Sequence, residues 1–180
     1  MGSDAHVLVV GGRRSGKSRF AEGLVLGSGL APVYIATATA GDGEMAERIA
    51  THRSARGGRW RTMEAPVLVA DALRGVAVAG NAVLLDCLTL WLANLMEADL
   101  DIGSETVRLI AALDAATGPV VIVSNEVGAG IVPDNALARR YSDAHGILNQ
   151  RVAAAVGRVV LMSAGLPLQL KPSTQRDMTL

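Results

Sequence analysis

The chain has 180 residues, 50% of them hydrophobic and 19% charged, which fits one globular domain able to bury a substantial core. Seventeen basic residues balance seventeen acidic ones, so composition excludes a broadly basic nucleic-acid-binding surface, and the single cysteine, Cys87, excludes an intrachain disulfide and suits a reducing compartment. No apolar run approaches the roughly 18–20 residues a membrane helix needs, and the run at 7–10 is too short for a signal-peptide core. The expectation is a soluble, cytoplasmic, single-domain protein whose last residues, 171–180, form a loose tail or an interface arm.

In chain order, short β-branched runs alternate with longer helical patterns, the habit of a parallel sheet with helical crossovers. Strands are predicted at 6–10, 33–36, 82–86, 119–124 and 158–163, each nearly all apolar, as strands covered on both faces are. Helices are predicted at 17–26, 44–56, 88–98, 104–116 and 134–156, with a further short one at 65–75. The fold class is α/β, a mainly parallel sheet with helices on both faces.

Directly after the first strand the chain reads Gly11-Gly12-Arg13-Arg14-Ser15-Gly16-Lys17-Ser18. This fits G-x-x-x-x-G-K-[ST] in a strand–loop–helix setting. Glycines let successive backbone N–H groups curl around phosphate oxygens, and the following helix aims the positive end of its dipole at them. Lys17 is expected to reach the β- and γ-phosphates and Ser18 to ligate Mg²⁺, with GTP or ATP as the nucleotide. The strand at 82–86 ends in Asp86, a carboxylate suited either to the metal or nucleotide or to capping the helix that follows.

The segment 44–56 places Met45, Ile49, His52 and Arg56 along one helical stripe. Arg48 and Arg56 lie one turn either side of His52, and Arg53 is adjacent. Three cations around an imidazole favour its neutral, nucleophilic form and also suit a phosphate. From the residues alone, a solvated surface histidine is the competing reading.

Taken together, these segments resemble the bifunctional adenosylcobinamide kinase/adenosylcobinamide-phosphate guanylyltransferase family of cobalamin biosynthesis. The resemblance is carried by GGRRSGKSRFAE at 11–22, YIATA at 34–38, EMAERIATHRSARGGRWRTMEAP at 44–66, LLDCLTLWLANLM at 84–96, SNEVGAGIVPDNALARRYSD at 124–143 and GILNQRVAAAV at 146–156. It implies that His52 becomes a covalent GMP-histidine. It also implies that Ala36, Thr37, Ala38, Arg53, Ser54, Ala55, Arg56, Glu64 and Asp86 help bind the nucleotide. The implied chemistry is phosphorylation of the aminopropanol hydroxyl of adenosylcobinamide, then GMP transfer from His52 to that phosphate, in a homotrimer. The chain departs from the family pattern at Arg13, often alanine; at Asp86, sometimes glutamate; and at Thr51, sometimes a second histidine.

Glu126, in Asn125-Glu126-Val127-Gly128 after an apolar strand, suits either a base for the substrate hydroxyl or a loop-ordering role. Asp134 is expected to cap the following helix, and Arg139, Arg140 and Arg151 to form a solvated face in preference to a subunit contact. His145 is read as having no convergent partners, and His6 no role. Trp60, Trp91, Leu92 and Leu95 are read as core or interface.

Overall fold

A computed structural model describes residues 3–39, 43 and 57–173. Its frame is a seven-stranded sheet made of β1 (Val7–Gly11), β2 (Ala31–Ala36), β3 (Arg61–Glu64), β4 (Asn81–Asp86), β5 (Val120–Val123), β6 (Arg158–Ser163) and β7 (Leu166–Lys171), ordered β3-β2-β4-β5-β1-β6-β7. Neighbouring strands run parallel except for β6 and β7, which pair antiparallel as a hairpin. The helices are α1 (Lys17–Gly27), α2 (Val69–Val76), α3 (Leu88–Glu97), α4 (Ile102–Asp114) and α5 (Ala136–Ala155). The mainly parallel α/β architecture expected from the sequence is the one observed.

Alternation along the strands divides the interior into two cores. Leu8, Val33, Ile35, Val83, Leu85 and Ile122 face a layer of α2, α3, α4 and α5, where Leu73, Trp91, Leu92, Leu95 and Leu109 are fully buried. The intervening residues Val7, Val9, Tyr34, Leu84, Val121 and Val123 face α1 through Ala21 and Val25, with Trp60 against Tyr34 in an edge-to-face pair at 5.9 Å. Removing such a fully buried leucine to alanine costs about 2–5 kcal/mol, so the two cores rather than surface ion pairs hold the sheet.

The five predicted strands are present with ends shifted by at most two residues, and the short helix forms at Val69–Val76. Two edge strands, β3 and β7, were not anticipated. Lys171 belongs to β7 and not to a tail, and its ammonium donates to the carbonyls of Ala153, Ala154 and Val156 at 2.9, 3.0 and 2.6 Å, satisfying the open end of α5. The cap of α5 is Asn135, whose side chain accepts from the Ala138 N–H; Asp134 instead offers its carbonyl to Arg139. The fourth helix begins earlier than expected because Asp101 accepts from the Ser104 N–H at 2.6 Å. The predicted helix 44–56, with His52, lies outside the described residues.

Candidate active site

Parallel register collects the predicted site residues at the carboxyl edge of the sheet. Glu64, Ala36, Asp86, Val123 and Val9 form one continuous row across β3, β2, β4, β5 and β1. Parallel neighbours in register share a face, so Asp86 stands on the α1 side. One strand, β5, separates it from β1, which at about 4.8 Å per strand puts the Asp86 and Val9 backbones about 10 Å apart.

The phosphate loop starts where β1 ends. A Cβ on Gly11 would lie 2.6 Å from the Met162 carbonyl oxygen and 2.7 Å from Ser15 Oγ, so only glycine fits there. Gly16 is the N-cap of α1 at φ 90°, a left-handed conformation that side chains resist, and no side chain caps the helix. The N–H groups of the first turn thus keep no intrahelical partner, which is what an anion requires. Lys17 Nζ donates to the Gly12 carbonyl at 3.1 Å, curling its charge over the loop. Ser15 Oγ is buried with no hydrogen-bond partner among the described residues, a polar atom for a phosphate oxygen or its water to satisfy. Gly12, Arg13 and Arg14 are exposed, and Arg14 itself holds φ 59°.

Asp86 accepts from the Tyr34 hydroxyl through Oδ2 at 3.0 Å, which orients the carboxylate; it does not cap α3, whose N-cap is Cys87. Ser18 and Asp86 each offer an oxygen donor of the kind a hard divalent cation such as Mg²⁺ takes, with phosphates and water to complete it. No cluster of three or more His, Cys, Asp or Glu able to hold a metal occurs among the described residues.

Thr37 is fully buried and braces the same edge. Its hydroxyl donates to the Cys87 carbonyl at 2.8 Å and accepts from the Cys87 N–H at 2.7 Å, while its carbonyl accepts from Asn94 Nδ2 at 2.8 Å. Ala36 and Ala38 are half-buried beside it, and Glu64 is exposed at the β3 end. A depression of about 410 Å³ borders Glu64 with Met63, Pro66, Val67, Leu68 and Asp71, and the phosphate loop does not line it. Burial, reinforced by the Asp86 charge, pushes the Cys87 thiol up to about 11.

The residue sequence reasoning misjudged is His145. It is fully buried, with Nε2 3.2 Å from Thr89 Oγ1 and 3.3 Å from Ser124 Oγ, and Nδ1 accepting from Asn149 Nδ2 at 3.3 Å. That pattern is met by the neutral Nε2–H tautomer, and burial holds its pKa below the ordinary histidine value. Tyr141 stacks on the ring at 5.7 Å and donates to the Thr89 carbonyl. The one-turn spacing of His145 and Asn149 was visible in the sequence, but their partners come from α3 and from Ser124, the residue after β5. Glu126 Oε1 accepts from the Gly128 N–H at 2.8 Å, the bond expected of a loop-ordering role.

A phosphate loop between β1 and α1, a carboxylate at the end of β4 and a mainly parallel sheet covered on both faces define a P-loop nucleotide-binding α/β protein. The chain belongs to the cobinamide kinase / cobinamide phosphate guanyltransferase family, whose model matches residues 7–170. Family membership makes it an enzyme, a transferase of phosphorus-containing groups with the two activities for which the family is described. It is 51% identical to the bifunctional adenosylcobalamin biosynthesis protein CobP of Pseudomonas aeruginosa over 91% of this chain and 96% of that one. It is 39% identical to the bifunctional adenosylcobalamin biosynthesis protein CobU of Salmonella typhimurium over 92% of this chain and 99% of that one. Among solved structures, the RadB recombinase superposes with a TM-score of 0.51 at 16% identity, covering 89% of this chain and 74% of its own. A protein from Pyrococcus horikoshii OT3 gives 0.52 at 10% identity, covering 94% and 87%. These two likenesses concern the fold alone. No helix among the described residues is long and apolar enough to cross a membrane.

Proposed function

We propose that this enzyme phosphorylates the aminopropanol hydroxyl of adenosylcobinamide with ATP or GTP and then transfers GMP to that phosphate through a GMP-histidine at His52, giving adenosylcobinamide-GDP. The observation that carries the nucleotide half is the phosphate loop: a left-handed Gly16 cap, an uncapped α1 N-terminus and Lys17 folded over the loop. In the kinase step the loop N–H groups and Lys17 hold the β- and γ-phosphates while the hydroxyl oxygen attacks the γ-phosphorus and the nucleoside diphosphate departs. Ser18 and Asp86 would hold Mg²⁺, which neutralises phosphate charge when bound. Ala36, Thr37, Ala38 and Glu64 border the nucleotide along the same sheet edge.

In the transfer step a neutral His52 attacks the α-phosphorus of GTP, pyrophosphate leaves, and the phosphoramidate passes GMP to the substrate phosphate. Arg53, Ser54, Ala55 and Arg56 would surround that α-phosphate. The support here is family membership and the run of arginines in the sequence. Intact-protein mass spectrometry after incubation with GTP, Mg²⁺ and pyrophosphatase tests it. Wild type should gain one GMP and His52→Ala none; an unmodified wild type that binds GTP would leave only the kinase.

The reading includes one cytoplasmic domain working as a homotrimer, with neither nucleic acid nor membrane as partner. Leu166, Leu168 and Leu170 on the outer strand and Ile131, Val132 and Leu137 near the start of α5 are exposed apolar surface that subunit contact would cover. Light scattering of the purified protein tests the assembly, and a monomer at micromolar concentration would refute it.

A further inference from the structure

We infer that Asn125 reads the terminal phosphate of the bound nucleoside triphosphate, donating its side-chain amide N–H to a γ-phosphoryl oxygen. This assigns a specificity residue to the kinase site and rests on the reading that the phosphate loop takes a nucleoside triphosphate.

Pairing with β1 continues beyond the end of β5. The Ser124 N–H donates to the Val9 carbonyl at 2.9 Å and the Glu126 N–H to the Gly11 carbonyl at 3.0 Å. Bonds from alternate residues to alternate residues continue the parallel ladder, so Asn125 stands opposite Gly11. Side chains alternate along such a stretch, and Ser124 confirms the phase by bonding His145 and Asn149 on the α5 side. Asn125 therefore shares the α1 side with Val123 and Asp86. It also shares the direction in which a Cβ on Gly11 would meet Ser15 of the phosphate loop.

Strand β5 lies between β1, which feeds the phosphate loop, and β4, which carries Asp86. Asn125 is two residues past the row of Asp86 on the same face. A triphosphate held by the loop with its metal near Asp86 must extend its last phosphate across the end of the intervening strand. Asn125 is the polar side chain there, and it is half-buried.

The backbone of Asn125 is held on both sides. The Asn125 N–H donates to Thr89 Oγ1 at 3.0 Å, and its carbonyl accepts from Asn149 Nδ2 at 3.0 Å. Both backbone groups are thus fixed by the cluster around His145, which immobilises the residue without using its side-chain amide. A preorganised neutral donor is what a crowded anionic site requires, because it binds oxygen without the desolvation cost of another cation.

The test compares binding of α,β-methylene GTP, which cannot donate GMP, with binding of GDP by calorimetry in wild type, Asn125→Ala and Asn125→Asp. A hydrogen bond to a charged oxygen predicts at least tenfold weaker triphosphate binding in Asn125→Ala and a larger loss in Asn125→Asp, where like charges meet. GDP binding should stay within about twofold in both variants, which also shows that they fold. Equal loss for both ligands would make Asn125 a structural residue and overturn the assignment, as would unchanged triphosphate binding. Failure of wild-type protein to bind either nucleotide would overturn the phosphate-loop reading itself, and this inference with it.

Discussion

The main-chain N–H of Gly165 donates to the carbonyl of Ser15 at 3.1 Å, so the turn of the β6–β7 hairpin rests on the phosphate loop. Ala164 and Gly165 make that turn with φ of 51° and 82°, the two positive values a tight hairpin needs. The hairpin is part of the wall that shapes the loop.

Replacing Gly165 with valine forces a β-branched residue into the left-handed region, at a cost of about 1–2 kcal/mol. We expect a lower melting temperature and weaker nucleotide binding, because the Ser15 carbonyl loses a fixed partner. Calorimetric unfolding with and without GTP checks this. Unchanged nucleotide affinity would mean that the loop holds its shape unaided.

Acid should destabilise the fold through its buried histidines. His6 sits between the Leu113 carbonyl and the Val120 N–H, and His145 lies within its polar cluster; burial lowers both pKa values from 6.5. Below pH 6.5 the unfolded chain binds protons that the folded one refuses, so stability falls until the folded-state pKa values are passed. Above that pH both states are neutral and this contribution is flat. The melting temperature measured from pH 8 down to 5 should drop below about 6.5, and His145→Gln should reduce the slope.

Cys87 should be inert in the native protein. Its thiol is buried and titrates near 11, so almost no thiolate exists at pH 8. Alkylation by iodoacetamide followed by mass spectrometry should modify the unfolded chain rapidly and the folded one hardly at all. Rapid native labelling would show that the Asp86–Cys87 edge opens.

Lys171→Met should remove three bonds to the end of α5 and lower stability by about 1–3 kcal/mol, read from urea unfolding. Lys171→Arg should recover only part of it, since a planar guanidinium does not converge on three carbonyls as an ammonium does.

The elements visible in the sequence are those whose signal is local. The phosphate loop was legible because Gly11, Gly16, Lys17 and Ser18 are fixed by their spacing, and the central strands because each is covered on both faces. β3 and β7 were not, for one shared reason. Arg61-Thr62-Met63-Glu64 and the Pro167-containing outer strand lie at the sheet edges, are half-buried or exposed, and take their order from a neighbouring backbone. His145 showed no convergent partners in the sequence because the groups that meet it, Thr89 and Ser124, arrive from other elements. Asn135 displaced Asp134 as the cap by a single residue, a choice that depends on where the chain turns.

Strand β1 is among the first elements of the chain, yet both of its neighbours, β5 and β6, and the turn that meets Ser15 come from its last third. As the protein emerges from the ribosome, the phosphate loop is made before β5, β6 and the turn that flank it, and it stays without those neighbours until they follow. A chain cut short before the β6–β7 hairpin would therefore carry an intact motif with no wall behind it.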